Sequence, residues 1–428
     1  MSIERNALIH QNVPCPFCGL GCDDLVVQTI SKNVEVIENG CPRSILLFNS
    51  TDSSSSSEKN LIEGQEVDFD HALKKAAEIL VNSKQPFISG LATDVAGMRS
   101  AMELANHIGA VVDHMSSKGL FNNLLALQSD GYINTTFTEV RNRADVIVIA
   151  GPAFANGFSR FFERLIRPEG MFVDTKERKL IVIGEADTDF SKELAPGQTV
   201  ETIHCKNEQL GEVLKGITAL INKGHLQSND IGGIPVDKLR LLAEQMQAAK
   251  YGVVVWSASD FKFSNAELTV QSINTLVKAL NKNTRFAGLP LGGNDGIMTA
   301  NQVCTWQTGF SLRTSFANGK VDYDPYQYSL DTMLDKKQLD SLLWISGFDS
   351  AQAPPVTDIP TIVLGRVGMA FPKQPAVYIP VATPGIHHAG NSFRGDSNVS
   401  LRLRKLTESS LPSVHKVLDQ LLENIRTL

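Results

Sequence analysis

Cysteine is scarce in this chain of 428 residues, and its placement is uneven. Of six cysteines, four stand at positions 15, 18, 22 and 41, and none lies between 42 and 204. Cys205 and Cys304 sit alone in apolar segments and read as core residues. No apolar run reaches membrane-spanning length, and the start Met1-Ser2-Ile3-Glu4-Arg5 has no secretory apolar region, so a cytoplasmic protein without a membrane partner is expected. In that reducing compartment clustered cysteines favour metal over disulfides. There is no excess of positive charge: a net charge of −6 and a pI near 5.9 argue against nucleic acid. The one basic run, Arg402-Leu403-Arg404-Lys405, reads as a solvated face. Neither G-x-G-x-x-G nor a P-loop occurs, which removes the motif grounds for a dinucleotide or nucleoside triphosphate. Cys205 beside His204 has no third partner, so no nucleophilic triad is supported.

What is present begins with Cys15-Pro16-Phe17-Cys18-Gly19-Leu20-Gly21-Cys22, completed by Cys41-Pro42-Arg43. Three thiols crowded into one loop, with a fourth returning after a gap of 18 residues, suit a [4Fe–4S] cluster. Zinc more often uses two separated C-x2-C knuckles, and a site that no longer holds metal is a third possibility. Pro14, Pro16 and Pro42 with Gly19 and Gly21 fit a loop that bends tightly around such a group.

With 42% hydrophobic and 20% charged residues the composition is that of a globular protein of two or three domains. Residues 1–60 read as a small β unit, in which runs at 24–29 and 33–38 form a hairpin that presents the cysteine loop. The serine-rich stretch 49–58 reads as a linker or surface loop. Beyond it, short apolar strands alternate with amphipathic helices, the pattern of doubly wound parallel sheets. Two sheets are expected, centred on 84–190 and 248–365, giving α/β domains at 61–200 and 201–370 and a C-terminal segment 371–428 that packs back on them. His387-His388 with Asp113 and His114 could form a metal or acid–base cluster, although adjacent residues of a strand face opposite ways. Asp23-Asp24 after the third cysteine reads as orienting the loop rather than ligating.

Three further stretches are distinctive. They are Ala126-Leu127-Gln128 with Gly131-Tyr132 and Thr138-Glu139-Val140-Arg141-Asn142-Arg143-Ala144-Asp145; Gly288 and Gly292-Gly293-Asn294-Asp295-Gly296 with Trp306 and Thr308-Gly309; and Ile379 to Ile386 with Gly390-Asn391-Ser392-Phe393-Arg394-Gly395-Asp396. With the cysteine loop they resemble, nearly end to end, the B subunit of formylmethanofuran dehydrogenase, within the molybdopterin oxidoreductase family. The branch most resembled is that of the bacterial formyltransferase/hydrolase complex. The resemblance implies a molybdopterin oxidoreductase-like fold and a [4Fe–4S] loop at Cys15, Cys18, Cys22 and Cys41. It also implies A, C and D subunits as partners, with a methanofuran- or methylofuran-type carrier, in tetrahydromethanopterin-linked conversion of formaldehyde to formate.

The departures from the family carry as much information. Where the dehydrogenase has a cysteine or selenocysteine that ligates molybdenum or tungsten, the resemblance places Gly119, with Leu120 in place of the following histidine. Glycine supplies no donor, and Ser116 and Ser117 fall out of register. Thr138 stands where the family has a glycine, and the family's Gly-Thr of the tail is Gly390-Asn391 here. The expectation is therefore a subunit without Mo/W-molybdopterin and without redox chemistry of its own, the alternative being a working dehydrogenase with Mo/W-pterin and [4Fe–4S]. A free-standing iron–sulfur protein is a third reading. Should a pterin or the carrier bind, Lys118, Asn294, Asp295 and Arg394 are the candidate contacts.

Overall fold

The computed structural model describes residues 7–49, 58–151, 157–185, 190–396 and 398–428, so most of the serine-rich linker lies outside the described residues. The chain divides into two compact units, one of Met1–Ser117 with Gly293–Leu428 and the other of Lys118–Gly292.

The second unit is built on continuous apolar runs. Val146–Ala150 and Gly252–Trp256 are buried at every position, as strands covered on both faces must be. Five strands pair in the order Thr199–His204, Lys179–Gly184, Val146–Ala150, Gly252–Trp256, Phe286–Pro290, all parallel. Numbered along the chain this is 3-2-1-4-5, and the order reverses between Val146–Ala150 and Gly252–Trp256. In such sheets the crevice at that reversal, outside the carboxyl ends of the strands, is where ligands bind. Helices Leu210–Ile221, Val236–Gln247 and Ala266–Leu280 bring Leu214, Ile217, Leu242 and Ile273 into the core against Val254 and Phe286. The apolar periodicity over 158–167 predicts a helix, and the structure has there a single π-helical turn, Phe162–Ile166.

The first unit holds a nine-stranded sheet. Its parallel centre runs Val111–Val112, Pro86–Ala92, Ser341–Ser346, Thr361–Arg366, Val377–Val381. Short antiparallel strands flank it: Thr314–Ser315 and Asp322–Tyr323 at one edge, Asn60–Ile62 and Gln65–Val67 at the other. Helices Phe69–Val81, Val95–Ile108 and Val414–Thr427 pack together beside it, each opened by a side-chain cap: Asp68 to the His71 N–H, Asp94 to that of Gly97, Ser413 to that of Lys416.

The two sheets interleave along the chain instead of following one another as 84–190 and 248–365. Pro86–Ala92 takes Ser341–Ser346 as a neighbour, while Val146–Ala150 takes Gly252–Trp256. The periodicity that reveals a buried strand says nothing about its partner, because parallel strands are joined by crossovers of any sufficient length.

Within the first unit, Leu25–Ile30 and Asn33–Glu38 form the expected hairpin. A third strand, Leu8–Val13, adds antiparallel to it and leads into the cysteine loop. It is exposed on both faces until Val13, so it lacks the alternation that marks a strand in sequence.

Candidate functional site

The cysteine loop is held closed by its own backbone. The Cys15 N–H donates to the Cys22 carbonyl at 2.7 Å, and the Gly21 N–H to that of Cys18 at 3.1 Å. Gly21 has φ +52, and a Cβ there would lie 2.5 Å from the Leu401 side chain and 3.0 Å from that of Arg394, so glycine is required twice over. Phe17 anchors the loop, wholly buried and edge-on to Phe48 and Phe348.

The fourth cysteine arrives at the start of helix Pro42–Asn49, where it caps the helix. Ser44 N–H donates to Cys41 Sγ at 3.4 Å, and Cys41 N–H to Ser44 Oγ at 2.8 Å. This is a capping box with a thiol in the first position and proline at the first helical residue.

Cys15 and Cys22 are buried, Cys18 and Cys41 partly so. Burial pushes the Cys15 thiol well up, and the neighbouring Cys18, Cys22 and Cys41 push it the same way, so all four sulfurs share one electrostatic environment. Burial also raises Cys18, against which the N–H groups of Leu20 and Gly21 and the Arg43 guanidinium act. Four soft donors with backbone N–H groups aimed at sulfur suit a metal–sulfur cluster, in which the ligands carry charge. Among the described residues no group of three or more Cys, His, Asp or Glu side chains, the four cysteines included, is already drawn together as a metal site.

Three of the candidate contacts gather at this loop. Asn294 Oδ1 accepts the Gly19 N–H at 3.3 Å. Asp295, in the left-handed region at φ 56, forms an ion pair with Arg43, two residues beyond Cys41. Arg394 is engaged by the buried Asp396 through bonds of 2.9 and 2.6 Å, and the Gly395 N–H donates to the Gly19 carbonyl. Gly293, at φ +98, lets the turn pass: a Cβ there would stand 2.9 Å from Gly19 Cα. Arg43, Ser44 and Asp396 escaped sequence reading, because each is recognisable only by a partner the fold supplies.

Behind the turn lies a buried polar network. His114 Nδ1 accepts the Ser116 N–H at 2.9 Å, which leaves the proton on Nε2 to donate to the Asp295 carbonyl at 3.1 Å. Burial lowers the His114 pKa to about 4, so the ring is neutral. Asp113 is raised by burial to about 6 despite Arg313 at 3.6 Å, and it accepts from Ser117 Oγ, the His114 N–H and the Leu330 N–H. His387 does not join it: its Nδ1 accepts the Thr383 N–H, and burial with nearby Arg366 lowers its pKa to about 4. His388 turns to the Ala389 carbonyl. These histidines pin loops.

Lys118 and Gly119 belong to the other unit, on helix Ser117–Asp130. Lys118 is exposed and Gly119 buried. A Cβ on Gly119 would lie 2.8 Å from both Cα and Cβ of Ser259 and 2.9 Å from its N. Ser259 follows strand Gly252–Trp256, at the carboxyl edge of the sheet where its order reverses. Asn122 Nδ2, one turn along the helix, holds the same segment through the Ala258 carbonyl at 3.2 Å.

The reversed parallel sheet, the larger mixed sheet and the four-cysteine loop define a molybdopterin oxidoreductase-like fold. Acetylene hydratase from Pelobacter acetylenicus superposes over 97% of this chain and 69% of its own with a TM-score of 0.64, at 11% identity. A chain of the formyltransferase/hydrolase complex FhcABCD from Methylorubrum extorquens, solved with methylofuran, superposes with a TM-score of 0.75 at 24% identity, over 86% of this chain and 99% of that one. No protein-family model matches. In sequence, the chain is similar to formylmethanofuran dehydrogenase and Fhc B subunits. It is 26% identical over 421 residues to the B subunit of the tungsten-containing formylmethanofuran dehydrogenase 2 of Methanocaldococcus jannaschii, covering 94% of each. It is also 26% identical over 373 residues to the Fhc B subunit of Methylorubrum extorquens, covering 85% of this chain and 98% of that protein.

Proposed function

We propose that this chain is the B subunit of a formyltransferase/hydrolase-type complex in tetrahydromethanopterin-linked oxidation of formaldehyde to formate, and that it acts as a non-redox scaffold. The observation that carries this reading is the closure of Gly119 against Ser259. At the position where the resemblance puts the molybdenum or tungsten ligand, there is neither a donor atom nor room for the Cβ that would bear one. A site for a soft low-valent metal needs a thiolate or selenolate, and in this reading packing has replaced that donor.

Cys15, Cys18, Cys22 and Cys41 then hold a [4Fe–4S] cluster as a staple. Held by these four thiols, such a cluster would cross-link the loop to the start of the helix at Pro42, while the Arg43–Asp295 ion pair joins that helix to the turn at Gly293–Gly296. The group supplies cross-linking free energy here, and the chain supplies buried thiols, N–H donors and a closed backbone. The A, C and D subunits and a methanofuran- or methylofuran-type carrier are the partners. A cytoplasmic location goes with this reading, because a reducing compartment keeps the four thiols available to a cluster.

The test is metal and pterin analysis of the purified complex. About four iron atoms per chain, a broad visible iron–sulfur absorption, and no molybdenum, tungsten or pterin are expected. Zinc or an empty site would make the cysteine loop a remnant. Molybdenum or tungsten with pterin would overturn the scaffold reading in favour of a working dehydrogenase.

A further inference from the structure

The amino ends of the five-stranded sheet carry a feature that the function above does not use. A cavity of about 620 Å3 is lined there by Arg143, Lys250, Arg285, Tyr251, Phe172 and Ile133, among others. Lys250 and Arg285 stand just before the adjacent strands Gly252–Trp256 and Phe286–Pro290. Arg143 closes the short helix that precedes Val146–Ala150, the strand on the other side of Gly252–Trp256. Strands lie about 4.8 Å apart, so three cations fan over roughly 10 Å.

Local carboxylates neutralise them only in part, leaving Lys250 and Arg285 as the cations without an ion pair among the described residues. Glu139 is taken by Arg143 at 2.7 Å. Asp145 accepts the backbone N–H groups of Lys250 and Tyr251. No ion pair is seen for the Lys250 or Arg285 side chains among the described residues. On a chain of net charge −6 this is a local reversal of sign. An apolar ridge borders it: Phe172 is 62% exposed, with the Arg143 guanidinium 4.4 Å over its ring, and Met171 beside it is 76% exposed.

We propose that this face docks an acidic segment of a partner protein, whose carboxylates meet Lys250 and Arg285 beside the Glu139-paired Arg143 and whose apolar side chain covers the free side of Phe172. Two features favour an extended peptide over a single small anion. The cations are spread across neighbouring strands instead of converging on one point, and a large bare aromatic lies next to them. Interfaces place exposed aromatics and arginines of this kind at their centres. The face is at the opposite end of the strands from the reversal crevice, so docking leaves that crevice free. The proposal stands whether or not the formyltransferase/hydrolase reading holds.

The probe is a fluorescein-labelled peptide, Glu-Glu-Leu-Phe-Glu-Glu, titrated with the full-length chain and followed by anisotropy at low and at raised salt. Charge reversal by Lys250→Glu with Arg285→Glu should weaken binding about tenfold, and added salt should weaken it further. Phe172→Ser should weaken it without changing the salt dependence. Lys238→Glu with Arg240→Glu, an equal charge change on an exposed helix of the same unit, should leave binding unchanged. The neutral pair Lys250→Gln with Arg285→Gln, weakening binding by a smaller factor, covers the case in which reversal disturbs folding. No peptide binding, equal weakening by the control pair, or displacement of the peptide by a uridine oligonucleotide or inorganic phosphate overturns the proposal.

Discussion

Replacing Gly119 by alanine tests whether the position at which the resemblance puts a metal ligand is closed or open. Gly119 is the third residue of helix Ser117–Asp130. On an open helix face, glycine to alanine stabilises by about 1 kcal/mol. Here the new methyl would sit 2.8 Å from two carbon atoms of Ser259, against a comfortable separation of about 3.5–4.0 Å. The overlap of roughly 1 Å falls on a segment restrained by Asn122 and by the Ser257–Ser259 hydroxyl bond of 2.9 Å. Overpacking of this kind costs about 1–3 kcal/mol, or more where backbone must move. Set against the helix gain, a net loss of about 1 kcal/mol is expected, which for a body of this size lowers Tm by roughly 2–4 °C. Scanning calorimetry of the purified complex reads this directly. Gly292→Ala is the control, because nothing lies within 4 Å of its Cβ position. A Gly119→Ala protein that melts at or above the parent temperature would show that the space is open, and the packing argument for lost metal chemistry would fail.

Other perturbations probe the cysteine loop and the network behind it. Cys18→Ser or Cys41→Ser should abolish bound iron and lower the melting temperature in parallel, and loss of iron with an unchanged melting temperature would remove the staple. Arg43→Met leaves the buried Asp295 carboxylate without its cation, at a cost of about 3 kcal/mol, reduced somewhat because Arg43 is 29% exposed, and read as a lower urea midpoint. The pH dependence has a definite sign. Asp113, raised from 3.8 to about 6, loses stability as pH rises through that interval, whereas His114 and His387, lowered from 6.5 to about 4, gain it over the same range. Asp113→Asn removes the opposing slope, so urea midpoints should rise more steeply between pH 4 and 6 than in the parent. An identical slope would refute the burial of that carboxyl.

Elements with strong local patterns were legible in the sequence. The apolar run 179–184 and the helical pattern over 210–221 mark Lys179–Gly184 and Leu210–Ile221 at their observed bounds, and the helical patterns over 70–83 and 265–280 differ from Phe69–Val81 and Ala266–Leu280 only at their ends. Helix Ile297–Thr308 was not, because polar and apolar residues are spread around its whole circumference and it has no amphipathic face to read. The division of strands between sheets was hidden for a different reason: it is set by pairings such as Leu342 with Phe87, which no local rule encodes. In the candidate site, the cysteine spacing and the Asn294-Asp295 turn could be singled out, but not their meeting. Asn294 reaches Gly19 and Asp295 reaches Arg43 across more than half the chain. Ser259, the residue that closes Gly119, carries no distinguishing pattern at all.

The discontinuity of the first unit has a consequence for biosynthesis. Strand Pro86–Ala92, buried at every position, needs Ser341–Ser346 beside it, and the turn that braces the cysteine loop lies beyond Gly292. At about 5–20 residues per second, a ribosome spends tens of seconds between making those two strands. The unit Lys118–Gly292 is continuous and has all its strands by then. The nascent N-terminal segment, with its reactive thiols, waits half-assembled throughout. A holding chaperone would then matter most during translation, and slowing elongation between codons 120 and 340 should deplete the mature protein more than slowing it elsewhere.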